Sequence, residues 1–169
     1  QSAPVYPASP YAPSPSFARH APSKVDAGTT LLLSVITLGV YGLFPFFRCA
    51  REYQSLAPGS GRNFETYFWI YVVLGFVATF FMLVFFPLGF LLLFGTIAVG
   101  YMTLTEFLDA RSAAVSSRGL GVQLTSPDTL RMYWVFGQVS SYFLIGLVLL
   151  MIQAEKLFED HNRIVEALA

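Results

Sequence analysis

Four apolar stretches dominate the chain of 169 residues, at about 29–47, 65–86, 88–108 and 130–152. Each approaches the roughly 20 residues that a helix needs to cross a hydrocarbon core about 30 Å thick. Stretches of this length predict an all-α integral membrane protein with about four transmembrane helices. They also predict that membrane lipid surrounds the helices.

The first stretch contains Gly39, Gly42 and Pro45. Glycine and proline weaken a helix, so these residues form a possible hinge near the end of the stretch. The sequence leaves two alternatives for 29–47, a helix that spans the membrane or a re-entrant element. The segment from 48 to about 60 then predicts a short helix at the membrane surface.

The second and third stretches run together, with only Pro87 and Gly89 as helix-breaking residues near their middle. One straight helix over 67–104 would be too long for a single span by about 25 Å at 1.5 Å per residue. The pattern therefore predicts a tight hairpin of two spanning helices.

The segments outside 27–152 have different patterns. Residues 153–169 place Leu157, Ile164 and Leu168 near one helical face and acidic residues on the rest, which predicts an amphipathic helix. Since an acidic helix is a poor match for an anionic lipid surface, a protein partner suits its apolar face better.

Residues 1–26 are rich in proline and predict an extended arm, because a proline period of three matches a polyproline II helix. Such an arm is either a spacer or a segment that docks in an aromatic groove. The residues of a docking arm would be Pro4, Tyr6, Pro7, Pro10, Tyr11 and Pro13.

Composition supports the membrane assignment and excludes one class of partner. Charged residues make up 12% of the chain, about half the share in a soluble domain. The formal net charge is zero, and Lys and Arg are too sparse to track a phosphate backbone, so nucleic acid is not an expected partner.

Candidate chemistry is scarce. The interiors of the apolar stretches contain no ionisable residue, and both histidines, His20 and His161, lie outside them. The single cysteine, Cys49, has no CxxC partner. The sequence therefore predicts no enzyme, no catalytic residues, no cofactor, no metal and no haem or pigment ligated by histidine within the spans.

Small and polar residues inside the stretches mark possible packing sites. Several pairs lie four residues apart, a spacing that lets helix backbones approach closely. They serve either packing within the chain or contact with another subunit. The residues concerned are Gly75, Thr79, Thr96, Gly100, Gly137, Gln138 and Ser141.

Four spans would place the loops 48–65 and 106–131 on one side of the membrane and both termini on the other. The loops carry six arginines and the terminal segments four Lys or Arg residues. The positive-inside rule then places the termini outside the cytoplasm. A re-entrant first stretch would instead bring the N terminus to the side of the loops.

The segment 34–56, SVITLGVYGLFPFFRCAREYQSL, resembles the TLGxYG-plus-basic element of the DUF4234 family of small bacterial membrane proteins. A similar element occurs in a second uncharacterised bacterial family. The resemblance implies a multi-pass protein of the bacterial cytoplasmic membrane and supplies no catalytic residue. The matching residues are Ile36, Thr37, Leu38, Gly39, Val40, Tyr41, Gly42, Arg48 and Arg51.

Two functions are consistent with these features. The first is a non-catalytic accessory or scaffold subunit of a larger membrane complex, for example a respiratory or photosynthetic one, with other membrane proteins as partners. The second is a small transporter, channel or lipid-handling protein, in which the hinge residues line a pathway.

Overall fold

The computed structural model describes residues 22–36, 40–140 and 144–169. These residues form six α-helices and no strand, which confirms the all-α prediction for this part of the chain. The helices are α1 (Ala27–Ile36), α2 (Val40–Leu56), α3 (Phe64–Val84), α4 (Phe86–Arg118), α5 (Pro127–Val139) and α6 (Leu144–Leu168).

Helices α3 and α4 form a tight antiparallel hairpin with only Phe85 between them. The Phe85 N–H donates to the Phe81 carbonyl at 2.7 Å and so closes α3. Pro87 lies in the first turn of α4, where a missing N–H costs no helical hydrogen bond. Gly89 allows the close approach, since a Cβ there would lie 2.3 Å from the Met82 nitrogen.

Helices α1 and α2 also lie antiparallel. A Cβ on Gly42 would lie 2.7 Å from Ser34 Oγ, and at the other end Arg48 donates to the Ser23 carbonyl at 3.2 Å. The apolar stretch 29–47 therefore contributes most of α1 and the first half of α2. Helix α2 also contains most of the segment that was expected to form a separate surface helix.

The last apolar stretch is divided in the same way between α5 and α6. Ser126 caps α5 by accepting from the Thr129 N–H at 3.2 Å. Gly137 of α5 packs against Leu150 of α6, and Thr125 hydrogen-bonds to Asp160. These contacts show that α5 and α6 are antiparallel too.

The three hairpins share one end, which we call the base, and their opposite ends are the tips. At the base, Val25 bonds to Asn162, and Asn63 bonds to Glu106. Most of the buried apolar core lies here or just beyond, between α2, α4 and α6. Large members of this core are Tyr53, Phe64, Phe107, Leu108, Leu130 and Ile164.

The common base changes the expected arrangement of the segments. Ser23 and Lys24, the loop after α2, the loop after α4 and the end of α6 all lie at one end of the molecule. The four-span pattern places the termini opposite these loops, so that expectation is wrong for the described part of the chain.

Among the described residues, two helices are long and apolar enough to cross a membrane, Phe64–Val84 and Phe86–Arg118. Their most apolar windows have mean hydropathies of 2.2 and 1.8, and only 11% and 22% of those windows are buried. A long apolar helix that is mostly uncovered is typical of a membrane protein rather than of a soluble core. The first stretch, for which a spanning helix and a re-entrant element were both open, is divided between α1 and α2, and the last stretch is divided between α5 and α6.

Candidate functional site at the base

A buried ion pair lies at the centre of the base. Arg111 of α4 and Asp160 of α6 are each 1% exposed, and their side chains meet at 2.5 Å. Burial of two charges is costly unless they are paired and their remaining polar atoms are also satisfied. The surrounding hydrogen bonds largely meet that condition.

The segment before α5 supplies those hydrogen bonds. The Thr125 N–H donates to Asp160 Oδ2 at 3.0 Å, and Arg111 donates from Nη2 to the Thr125 carbonyl at 2.8 Å. Arg111 Nε is left buried without a hydrogen-bond partner. This network connects α4 and α6 to the segment before α5. Its two charged side chains are paired with each other, so its role is structural.

A second polar group holds the start of the described chain against α6. His161 Nε2 lies 3.0 Å from the Ser23 carbonyl, and Nδ1 lies 3.0 Å from the Tyr53 hydroxyl. A carbonyl can only accept, so Nε2 carries the proton and Nδ1 accepts from the tyrosine. Burial lowers the pKa of His161, and the nearby Arg48 cation acts in the same direction.

Glu52 lies beside this histidine, with Oε2 at 3.4 Å from Nε2. Burial raises the pKa of Glu52, although Arg48 opposes the shift. Because His161 is neutral at neutral pH, the contact between the two side chains is not a salt bridge there. Burial likewise raises the pKa of the Tyr53 hydroxyl, so this phenol stays protonated and acts as a donor.

Cys49 packs in the apolar core of the base and is 1% exposed. Burial, with a smaller contribution from the Glu52 carboxylate, raises the pKa of its thiol to about 12. Since the thiolate is the reactive form, this cysteine is chemically inert at neutral pH.

An open cleft of about 190 Å³ lies between the start of α1 and the middle of α2. Two cations, Lys24 and Arg48, and one carboxylate, Asp26, contribute to its polar part. A neighbouring cleft of about 280 Å³ shares Tyr41, Pro45 and Arg48 and adds the exposed ring of Phe44. The two clefts together form a surface that is polar toward the base, where Lys24 pairs with Glu166 and Arg48 with Glu52, and apolar toward the tip.

The structure places most of the small residues in contacts within the chain. A Cβ on Gly75 would lie 3.8 Å from Thr96, one on Gly100 would lie 2.6 Å from Trp134, and one on Gly137 would lie 2.8 Å from Leu150. These positions serve packing between α3 and α4, α4 and α5, and α5 and α6.

The remaining candidates have other environments. Thr79 and Thr96 each donate to the carbonyl four residues earlier in their own helix. Gln138 is half-buried near the end of α5. In the proposed hinge, Gly42 contacts Ser34, and Pro45 lies inside α2. Outside the described residues lie Ser141, Gly39 and the arm residues Pro4, Tyr6, Pro7, Pro10, Tyr11 and Pro13.

The pattern of the sequence contained one signal for the base that was missed. Asp160 and His161 lie between Leu157 and Ile164 at spacings of three and four, on the face of α6 that packs into the core. A charged residue at such a position is buried and needs a partner. Its partner, Arg111, is 49 residues away in the chain, and nothing local identifies it.

No family model, curated protein or solved structure matches the chain. The resemblance of segment 34–56 to the DUF4234 family therefore stays a prediction.

Proposed function

We propose that the protein is a non-catalytic accessory or scaffold subunit of a larger membrane complex in the bacterial cytoplasmic membrane. One observation carries the proposal: the α3–α4 hairpin presents a long apolar surface that is left mostly uncovered by the residues that the structure describes. The polar side chains at the base support it, because the Arg111 and His161 groups are engaged in contacts that hold helices together. Such a molecule offers surfaces for packing.

The proposal includes a placement in the membrane. Helix α3 has 21 residues and is about 31 Å long, so the α3–α4 hairpin crosses a hydrocarbon core of about 30 Å. Helices α1 and α5 have 10 and 13 residues, or about 15 and 20 Å, so their hairpins enter and return on the side of the base. This placement replaces four spans with one crossing hairpin and two re-entrant ones.

Cysteine labelling tests the placement, since Cys49 is buried and its thiol unreactive. We expect Ser55→Cys, Arg118→Cys and Ala167→Cys to react with a membrane-impermeant maleimide from one side of sealed vesicles. Phe85→Cys, at the tip of α3, should react from the other side. Labelling of Ser55→Cys and Ala167→Cys from opposite sides would contradict the placement.

The surface offered to a partner lies on α3. Trp69, Val73, Phe76 and Phe80 follow one another at spacings of four and three, and all are more than half exposed. This spacing puts them on one helical face. Large aromatic side chains on a common face are suited to packing against the helices of another membrane protein, where they add contact area at low entropic cost.

Recovery of partners after solubilisation in a mild detergent tests the scaffold function. We expect the chain to co-purify with other membrane proteins at a fixed stoichiometry. Phe76→Ala with Phe80→Ala should reduce that recovery while the chain still inserts. Phe44→Ala with Phe136→Ala is the matched control, because these rings on the short hairpins are also more than half exposed. Isolation as a lone monomer would count against the proposal.

A specific observation favours the lipid-handling alternative. The cleft beside Lys24 and Arg48 continues into an apolar groove at Phe44. A phospholipid that exchanged its phosphate for the Glu166 and Glu52 partners of these two cations would place an acyl chain in the groove. Native mass spectrometry of the purified protein would detect retained phospholipid. We expect Arg48→Gln to lower that retention, and Arg118→Gln, far from the cleft, to leave it unchanged. Equal retention in both variants would remove the support for this alternative.

A further inference from the structure

The three hairpins have a common base and unequal lengths. Helices α1 and α5 contain 10 and 13 residues against the 21 of α3, so the two short hairpins end about 10–15 Å before the long one. The polar contacts at the base keep them from sliding toward the tip. The Arg111–Asp160 pair fixes α6 relative to α4, and the Val25–Asn162 contact fixes the start of α1 relative to α6.

Contacts along the long hairpin show where the short ones stop. Trp134 of α5 packs against Gly100, which also faces Tyr71, about one third of the way along α3. Helix α5 continues for five residues after Trp134, about 8 Å. Beyond that level the hairpin is uncovered: Leu83 is 84% exposed and Leu91 is 67% exposed.

The apolar surfaces of the short hairpins are also uncovered toward their tips. Exposed side chains there include Leu32, Ile36, Val40, Phe44, Phe136, Val148 and Met151. Exposed apolar groups at this level belong in the acyl region of the leaflet nearest the base. Of the described helices, the near leaflet therefore holds parts of all six, whereas the far leaflet holds parts of α3 and α4 alone.

The difference in occupied area is large. A helix with its side chains is about 10–12 Å wide, so each cross-section takes roughly 80–110 Å². Four additional helices then occupy about 300–450 Å² more in the near leaflet than in the far leaflet. A molecule that expands one leaflet only is better accommodated where that leaflet is on the outside of a curved membrane.

We infer that the protein acts as a wedge in one leaflet and concentrates on membrane that is convex on the side of its base. The inference rests on the membrane placement proposed above and adds a function to it. The partner is the lipid bilayer itself, chosen by curvature and not by headgroup.

Membrane tubes pulled from giant vesicles provide the test. The full-length protein is labelled with a fluorophore and reconstituted with the base outward into vesicles of phosphatidylethanolamine and phosphatidylglycerol. We expect roughly three-fold enrichment on the tube over the vesicle, rising as the tube narrows. Equal density on tube and vesicle at every radius would overturn the inference.

A variant pair tests whether the short hairpins cause the enrichment. Leu32→Lys with Ile36→Lys leaves the packing intact, because both side chains are exposed, and removes the α1–α2 tip from the acyl region. This variant should lose a large part of the enrichment. Phe85→Lys with Phe86→Lys adds the same charge at the far tip and should keep it. Enrichment that is equal in both variants would contradict the wedge.

Cysteine labelling in the same vesicles distinguishes a failure of the membrane placement from a failure of the curvature inference. If Ser55→Cys and Ala167→Cys react from opposite sides, the membrane placement is wrong and the wedge falls with it. If both react from outside and enrichment is absent, only the curvature inference is wrong. The tube assay contains no partner protein, so its outcome does not depend on the scaffold function.

Discussion

At the scale of single residues, the Arg111–Asp160 pair is the contact on which the base depends most. Both side chains are 1% exposed, and Asp160 also accepts from the Thr125 backbone. Removal of one partner leaves an uncompensated charge in an apolar surrounding, which is more damaging than loss of the attraction alone.

We therefore expect Asp160→Asn to lower the free energy of unfolding by about 3–5 kcal/mol. The matched control is Glu159→Gln in the same helix, where the pair with Lys156 is about 40% exposed, so its loss should change the stability little. Thermal unfolding of the detergent-solubilised protein, followed by helical circular dichroism, measures both. Equal effects would show that Arg111 has another source of compensation.

His161 makes the base sensitive to acid. Its pKa in the folded protein is lowered from 6.5, so below about pH 6.5 the unfolded chain binds the proton more readily than the folded one. The stabilisation is complete above that pH and is lost as the pH falls toward the lowered pKa. Glu52, whose pKa is raised, acts in the opposite direction above its usual 4.5.

We expect the melting temperature to fall as the pH is lowered from about 7.5 to about 5.5, and the fall to be smaller in His161→Gln. Glutamine keeps a donor and an acceptor for Ser23 and Tyr53 but does not titrate. His161→Gln and the original chain should differ little in slope above pH 7. Parallel curves over the whole range would assign the acid sensitivity to another group.

At the scale of elements, the closure of the α3–α4 hairpin depends on Gly89. A Cβ at this position would lie 2.3 Å from the Met82 nitrogen and 2.6 Å from its Cα, and backbone atoms cannot move aside as a flexible side chain can. At Gly75, by contrast, the nearest atom would be a methyl group of Thr96 at 3.8 Å, an ordinary contact distance.

Gly89→Ala should therefore destabilise the hairpin by about 1–3 kcal/mol through overpacking. Gly75→Ala should be neutral or stabilise by up to about 1 kcal/mol, because alanine is the better helix former. Unfolding of the two variants in the same detergent gives the comparison. A cost that is the same at both positions would mean that the tip relaxes around the added methyl group.

The sequence was sufficient to predict the helical class and a hairpin near Pro87 and Gly89, because proline and glycine in a long apolar stretch are local signals. It was not sufficient to predict that 29–47 and 130–152 are each divided between two antiparallel helices. A hydropathy pattern is the same for one crossing helix and for two antiparallel helices that face the same lipid. What separates them is contact between distant residues, such as Arg48 with Ser23 and Thr125 with Asp160.

The candidate site shows the same limit. The small residues Gly75, Gly100 and Gly137 were singled out by spacing alone, and spacing cannot say whether the facing helix belongs to the same chain. The base network was missed because its members are charged residues from α4 and α6 whose meeting depends on the whole fold. Local patterns show which face of a helix is apolar or carries small residues. Only the arrangement of the six described helices shows which of these faces contact one another.

At the scale of the whole molecule, the charged side chains of the described residues lie toward the base, and the tip of the long hairpin carries none. The tip around Phe85 has no charged residue from 66 to 105, so no side chain there anchors it firmly in water. The depth that the tip reaches is then set by the base, which is held at the near surface, and by the length of α3. That length is about 31 Å for 21 residues.

This geometry predicts a dependence on bilayer thickness. With a hydrocarbon core of about 30 Å, Phe85→Cys should react with an impermeant maleimide from the side opposite the base. In bilayers with longer acyl chains the reaction should slow markedly, because the tip no longer reaches the far headgroups. Ser55→Cys at the base is the control and should react equally in both. A tip that labels equally well in thick bilayers would mean that the base sinks with the hairpin, and the fixed position of the base would then be wrong.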